Sequence, residues 1–428
     1  MSYLFKKILA KLAWLQIRKY KPVIIGVTGN AGKTSTKEAI AAVLRSSRTV
    51  RIAAGNLNNE FGFALTILGN WDEEYYDRGS SIGLWLRVLW AGFCGLIIRR
   101  DFAEVFLLEY GADCPGDIKR LATLFKPHIA VITTVGDTPV HIEFFKDTDA
   151  VAAEKANLVK ILTATDYAVL NHDDSRVLNM KSKTQAHVLT YGFGESSTIQ
   201  ISDFKYINTD EGKPTGAAFK IYKASGFVPV NIYGSLGKSQ AYAVAAAAGV
   251  GVILGMNLIK IGEALRQYRG PNGRLKIIDG INGSTIIDDT YNASPASTRL
   301  ALETLRDLES PRKIAVLGDM LELGEHANLS HQNIGLMTAS CADILVCVGS
   351  LAKLIAETSK INKDKIFIFN TSDEAKFKIR SLIRKLDVIL VKGSQSMRME
   401  RIVAEIMAQP QYKKEFLVRQ SKNWLSKF

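Results

Sequence analysis

Gly29, Gly32, Lys33 and Thr34 stand within VTGNAGKTST, residues 27–36, directly after the apolar run Val23, Ile24, Ile25 and Val27. These residue types at this spacing suit phosphate chemistry. Gly26, Gly29 and Gly32 let the backbone turn tightly and approach a ligand. Amide groups at the start of the following helix point at a polyphosphate, the Lys33 ammonium neutralises its outer charges, and the Thr34 hydroxyl is placed to meet Mg²⁺. The spacing departs from the strict P-loop pattern: Val27 stands five positions before Gly32, and the glycine comes one place earlier, at Gly26. The bland alternative is an ordinary glycine-rich turn, but Gly-Lys-Thr between a strand and a helix favours nucleotide binding.

Other candidates follow apolar runs. Glu109 ends Val105–Leu108, at the carboxyl edge where parallel sheets bind ligands; it is either a Mg²⁺ ligand for a bound nucleotide or a cap. His141 and Glu143 follow a second run, where a structural histidine is the plain alternative. Lys155 lies on the predicted helix 148–161, otherwise apolar and small, and a solvated lysine is its bland reading. Asn171, Asp173 and Asp174 form a polar loop after another strand. Farther on, IIDDTYNASP places Asp288, Asp289, Tyr291, Asn292 and Ser294 together, and GDMLELG and VKGS, with Lys392, likewise end apolar strands. Three such loops on one sheet edge predict a concave polar face turned toward the first unit.

The elements that must position these residues alternate between strand-like runs and helix-like segments, which predicts an α/β fold with a mainly parallel sheet. Strands are expected at Val105–Leu108, Ile129–Thr133, Ala168–Leu170, Ile314–Leu317, Ile344–Val348, Ile366–Phe369 and Val388–Val391. Gln200–Tyr233 shifts to short alternating stretches that read as antiparallel strands, and the alanine-rich SQAYAVAAAAGVGVIL reads as a long helix. The glycine-rich break at 269–274 separates two units. The expected organisation is an amphipathic basic helix at 1–21, an α/β unit bearing the phosphate loop at 22–272 with an apolar insertion at 71–103, and a second α/β unit at 273–428.

Bulk properties narrow the class. The chain has 428 residues, 47% of them apolar, enough for two or three cores and too many for a disordered protein. A net charge of +13 suits an anionic partner, and the absence of arginine-rich tracts interleaved with aromatics argues against nucleic acid. Four cysteines without Cys-x-x-Cys spacing point away from a zinc ribbon or disulfide scaffold and toward a reducing cytoplasm. Basic residues recur through the first 22 positions, unlike a cleavable signal. Residues 3–19 sort into two helical faces, suiting either the protein body or a membrane surface. The segment 82–98, with Arg87 its sole charge, is too short and too centrally charged for a bilayer span. It predicts a buried or surface-docked helix, with an interfacial membrane or partner contact as the alternative.

Together these segments resemble the Mur ligases, most closely the branch that adds D-alanyl-D-alanine. The resemblance runs in order through VTGNAGKTSTKE, GNLNNEFGFALTIL, LLEYGADCPGDI, HIEFF, AAEKANL, LNHDD, GRL, DDTYNASPAS, VLGDMLELGEH and VKGSQSMRME, over residues 22–403. DDTYNASPAS with GDMLELG sets this branch apart from other Mur ligases and from folylpolyglutamate synthetases. The resemblance implies that 22–272 is a central P-loop ATPase domain and 273–428 a C-terminal Rossmann-like domain, and that the two close on each other. It implies ATP-dependent amide formation through an acyl phosphate, joining D-alanyl-D-alanine to a UDP-muramyl-tripeptide. It assigns the nucleotide to Gly29, Asn30, Gly32, Lys33, Thr34, Ser35, Arg274 and Asn292. Mg²⁺ falls to Thr34, Glu109, His141 and a carbamylated Lys155, with Lys33, Lys155 and His141 as catalytic positions. Substrate contacts fall to Asn58, Asn59, Asp288, Tyr291, Asn292, Ser294 and Lys392.

Three departures accompany it. About 20 residues precede the phosphate-loop strand, where the family has a UDP-sugar-binding domain. The insertion 71–103 has no counterpart in the common pattern. Ser239, Gln240 and Ala243 stand where the family tends to read a His-Asn-x-x-Asn motif. Two other readings remain: the same chemistry on a different or lipid-linked carboxylate, and a nucleotide-binding scaffold without ligase activity. The family metal positions Glu109, His141 and Lys155 beside Lys33 argue against the scaffold.

Overall fold

The computed structural model describes residues 3–53, 57–71, 74–75, 81–98, 101–112, 114–136, 145–224 and 226–426. Among them two sheets account for the strands. The first contains β1 (Val23–Thr28), β2 (Val50–Ile52), β3 (Val105–Glu109), β4 (Ile129–Ile132), β5 (Tyr167–Asn171), β6 (His187–Gly192), β7 (Ile199–Asn208), β8 (Pro214–Lys223) and β9 (Gly226–Tyr233), ordered β2-β3-β1-β4-β5-β6-β7-β8-β9. Neighbours from β2 to β7 are parallel, and β8 runs antiparallel to both β7 and β9. The second sheet contains β10 (Lys276–Asp279), β11 (Thr285–Asp289), β12 (Lys313–Gly318), β13 (Ile344–Val348), β14 (Ile366–Phe369) and β15 (Val388–Lys392), ordered β10-β11-β15-β12-β13-β14, with β10 antiparallel to its neighbour.

Alternation along the central strands explains why both faces of the first sheet are covered. Ile24, Phe106, Leu108, Ala130 and Ile132 feed one core, while Ile25, Val27, Leu107, Ile129 and Val131 feed the other. Such strands are apolar throughout because neither face meets water, and each buried aliphatic side chain contributes roughly 1.5–3 kcal/mol. Helices Lys33–Leu44 and Lys238–Ile253 cover the second face. Small residues let them approach closely: a Cβ on Gly251 would stand 3.0 Å from Val43 Cγ1. The alternating stretches of 200–233 are the β7–β9 meander.

The chain leaves β1 toward β2 and β3 on one side and returns to β4 on the other. This reversal opens a crevice beyond the carboxyl ends of β1, β3 and β4, the place where parallel sheets bind ligands. In the second sheet, β11, β15 and β12 are adjacent, so the loops after Asp289, Lys392 and Gly318 share one edge. The two units are tied at Leu236, whose amide donates to Leu275 O at 3.0 Å and whose side chain packs in the second core.

The helix expected to be buried or surface-docked is present as Ile82–Ile97 and is surface-docked, capped by Ser81, which accepts from Leu84 N at 3.1 Å. It lies beside helix Tyr3–Tyr20, where Gln16 Nε2 donates to Gly92 O at 2.8 Å. Among the described residues no helix is long and apolar enough to cross a membrane.

Candidate active site

Gly29 and Gly32 form the turn between β1 and helix Lys33–Leu44, with φ values of 148° and 83°. Gly29 also tolerates no side chain, since a Cβ there would stand 1.9 Å from Thr133 Oγ1. Asn30 is held by backbone and side chain together: its amide donates to Thr134 O at 2.6 Å and Nδ2 to Val135 O at 2.6 Å. Lys33 Nζ reaches back over the loop to Gly29 O at 2.8 Å. Parallel pairing places Val27 opposite Glu109, and this register sets the next contact: Thr34 Oγ1 donates to Glu109 Oε2 at 3.3 Å. Buried Lys37 stands 3.8 Å from the same oxygen and donates to Ala53 O at 2.7 Å. A hydroxyl and a carboxylate beside a glycine cradle form a hard-oxygen set suited to Mg²⁺.

Beside this cradle opens a cavity of about 370 Å³, lined by Gly32, Thr134, Asp174, Arg176 and Tyr242 from the first unit and by Leu300 from the second. Asp174 fixes its floor. Its Oδ2 accepts from Thr134 Oγ1, Val135 N and Gly136 N at 2.7–2.9 Å. Burial opposes its charge, but these bonds and the one from Val177 N hold its pKa below the usual carboxylate range. Neighbouring Asp173 accepts from Phe193 N at 2.6 Å, Gly194 N at 2.9 Å and Tyr242 OH at 2.8 Å. Burial, then Asp173, pushes the Tyr242 hydroxyl pKa upward, so it stays a neutral donor.

The second unit presents a loop held by several buried and half-buried polar contacts. Asp289 Oδ2 pairs with Lys392 Nζ at 2.7 Å, and the same ammonium donates to Asn292 O at 2.8 Å. Burial lowers the Lys392 pKa, with Asp289 opposing it. Asn292 Oδ1 accepts from Ala293 N at 2.9 Å and Gln395 N at 3.3 Å, and Ser294 caps helix Pro295–Asp307 with a capping box completed by Ser297. The Arg274 guanidinium lies 4.0 Å from the centroid of the Tyr291 ring. Arg419 reaches from the C-terminal segment to the carbonyls of Thr290 and Tyr291 and pairs with Glu400 at 2.8 Å. A second cavity of about 440 Å³ is lined by Asn292, Glu322, Ser394, Gln395, Arg398 and Trp424.

The residues singled out in the sequence thus fall into two groups. Gly29, Asn30, Gly32, Lys33, Thr34, Ser35 and Glu109 assemble at the first sheet edge. Asn58 lies against Gly111 just beyond β3: a Cβ on Gly111 would stand 2.2 Å from its Nδ2. Asn59 serves as a helix cap, accepting from Gly62 N at 2.9 Å. Asp288, Tyr291, Asn292, Ser294 and Lys392 gather at the second edge. Lys155 is only 4% exposed, which removes the solvated reading. His141 and Glu143 lie outside the described residues. Of the three positions that depart from the family motif, Ser239 and Ala243 line the first cavity, while Gln240 is a joint: Nε2 donates to Arg274 O at 2.9 Å and Oε1 accepts from Tyr268 OH at 2.7 Å. Sequence reasoning missed Tyr242, whose signal was an aromatic in a helix of small residues. It also missed Arg419 and Glu400, which no local pattern marks. Among the described residues no group of three His, Cys, Asp or Glu side chains could hold a metal by itself. A phosphate-bound Mg²⁺ needs only one or two protein oxygens.

A phosphate loop at the switch point of one parallel sheet, joined to a second α/β unit, defines the class of two-unit P-loop ATP-binding enzymes. Residues 96–251 match the Mur ligase middle domain and residues 273–395 the Mur ligase, glutamate ligase domain. The chain is 31% identical over 395 residues to the UDP-N-acetylmuramoyl-tripeptide–D-alanyl-D-alanine ligase of Buchnera aphidicola subsp. Baizongia pistaciae, covering 90% of this chain and 75% of that protein. It is 28% identical over 406 residues to the Bacillus subtilis enzyme of the same name, covering 94% and 79%. The crystal structure of MurF ligase from Thermotoga maritima in complex with ADP superposes with a TM-score of 0.76 at 26% identity, covering 96% of this chain and 84% of that one. This chain belongs to the Mur ligase family: it is an ATP-dependent ligase.

Proposed function

We propose that this enzyme adds D-alanyl-D-alanine to a UDP-muramyl-tripeptide in the cytoplasm, making the pentapeptide precursor of peptidoglycan. The observation that carries this reading is similarity across nine-tenths of the chain to proteins named for that reaction. The tripeptide carboxylate attacks the γ-phosphorus and the bond to ADP breaks, giving an acyl phosphate. The dipeptide amine then attacks the acyl carbon, the bond to phosphate breaks, and the nitrogen gives up a proton.

The residues divide this work. Lys33 holds charge on the transferring phosphoryl group, and Gly29, Asn30, Gly32 and Ser35 shape its cradle. Thr34 and Glu109 fit Mg²⁺ by their paired oxygens, together with His141 and a carbamylated Lys155, a buried amine that CO₂ would convert into an anionic oxygen ligand. When bound, Mg²⁺ would supply charge neutralisation on the nucleotide phosphates. Arg274 and Asn292 reach the nucleotide. Asn58, Asn59, Asp288, Tyr291, Ser294 and Lys392 form or support the substrate contacts, and domain closure excludes water from the acyl phosphate. The units divide at 22–272 and 273–428. Helices 3–19 and 82–98 form a contact surface for a membrane or a partner, and their exposed apolar face favours, as a second reading, a lipid-linked carboxylate acceptor.

The test is phosphate release from ATP with Mg²⁺ and bicarbonate. Release that requires both UDP-muramyl-tripeptide and D-alanyl-D-alanine, with a mass shift to the pentapeptide, is the expected result. No release from folded, ATP-binding protein with these substrates would overturn it.

A further inference from the structure

Helix Ile82–Ile97 has two unlike faces. Leu84, Val88, Gly92 and Gly95 are buried against the protein. Ile82, Leu86, Trp90, Phe93 and Ile97 recur at spacings of three and four and form one solvent-facing stripe, with Trp90 69% exposed and Leu86 62%. A contiguous row of large apolar side chains facing water marks an interaction surface.

The neighbouring helix identifies the chemistry of the partner. Tyr3–Tyr20 runs alongside, and Lys19 Nζ donates to Gly95 O at 3.2 Å and Leu96 O at 3.0 Å, which sets a cation at the edge of the stripe. Lys6, Lys7, Lys11 and Arg18 are exposed on the same helix. Lys11 and Arg18 stand 4.4 Å and 4.7 Å from the Trp14 ring, an aromatic between two cations. Neither helix contains an aspartate or glutamate, although the pair spans 34 residues; Arg87 on the second is partnered by Glu74 outside it.

We propose that these two helices form an in-plane docking surface for an anionic phospholipid bilayer. The stripe enters the boundary between headgroups and acyl chains, and the cations meet lipid phosphates. Charge complementarity selects this occupant: a second copy of the chain would set one cationic helix against another. The helix is too short to cross a bilayer and too apolar on its outer face for water alone. This surface stands apart from the ATP site and does not depend on the ligase reading.

The test is flotation of the full chain with vesicles of phosphatidylcholine alone and of phosphatidylcholine mixed with phosphatidylglycerol. Binding to the anionic vesicles, weakening as salt rises, is expected. Leu86→Asp with Trp90→Asp should lower partitioning on the order of tenfold or more, and Lys11→Glu with Arg18→Glu should do the same on anionic vesicles only. All four residues lie away from the ATP site, so ATP binding should persist in each variant and report folding. Should the double aspartate variant fail to fold, Trp90→Ser replaces it. The proposal is overturned by failure to float with anionic vesicles or by flotation that the stripe variants leave unchanged. A dimer or captured protein partner that the stripe variants abolish, with no vesicle binding, also overturns it.

Discussion

Lys392 Nζ lies 2.7 Å from Asp289 Oδ2, and both side chains are buried. Strand pairing puts them there: β11 and β15 align in parallel with Asp289 opposite Lys392. The ammonium also holds the Asn292 carbonyl, so one buried pair fixes the start of the DDTYNASPAS loop. Removing one partner leaves an uncompensated buried charge. Lys392→Met is expected to cost about 3–5 kcal/mol in denaturant unfolding, and adding Asp289→Asn should recover a large part of it. Equal stability of the single and double variants would contradict the pairing.

Arg419 acts on the same loop from the far end of the chain. Its guanidinium reaches the carbonyls of Thr290 and Tyr291 and is itself held by Glu400. Arg419→Met should raise the KM for the amine substrate by more than it weakens ATP, because the phosphate cradle belongs to the other unit and only Arg274 and Asn292 reach the nucleotide from this one. Steady-state kinetics with each substrate varied in turn would read this split.

Gly29→Ala tests the close approach at the phosphate loop. The added methyl would stand 1.9 Å from Thr133 Oγ1, so the loop must shift. ATP affinity should fall at least tenfold by calorimetry, and overall unfolding should lose on the order of 1–3 kcal/mol, because Gly29 is buried and its φ of 148° is one that L side chains rarely adopt. Undiminished affinity would show that this backbone does not carry the phosphates.

Asp288 gives a pH signature. One of its oxygens is bonded to Thr290, the other is buried without a hydrogen-bond partner, and burial pushes its pKa up to about 6 from the ordinary 3.8. The fold therefore favours the protonated form. Its contribution is fully present below about pH 4 and is lost as pH rises through 6, with an upper bound of about 3 kcal/mol. His331 works in the opposite sense. Burial lowers its pKa, so its contribution is present above about 6.5 and is lost as pH falls. The difference in unfolding free energy between wild type and Asp288→Asn, followed from pH 4 to pH 7, isolates the aspartate. A difference independent of pH would contradict the raised pKa.

Much of the site was legible before the fold. The phosphate loop depends on glycine spacing and a following helix, both local properties of the chain. Most of the parallel strands could be read from short apolar runs, and the antiparallel meander from its period of two, but β2, β6 and β10 carry no such run and were not read. Polar loops after Val391 and Gly318 were visible as interruptions of those runs. The length and central charge of the 82–98 segment argued against a bilayer span but left burial and surface docking open, and packing chose the latter.

What the linear chain determined, then, was which residues bear chemistry and which segments become strands or helices, because those depend on neighbours within a few positions. The tertiary structure decided which of them meet. Thr34 faces Glu109 only through the register of β1 with β3, and Asp289 faces Lys392 only through that of β11 with β15. Packing buried Lys155, turned Gln240 into a joint, and left Trp90 in solvent while Val88 on the same helix was covered. Arg419 entered the site from 128 residues away. Register and packing are sums over distant contacts, and no local pattern of residue types encodes them.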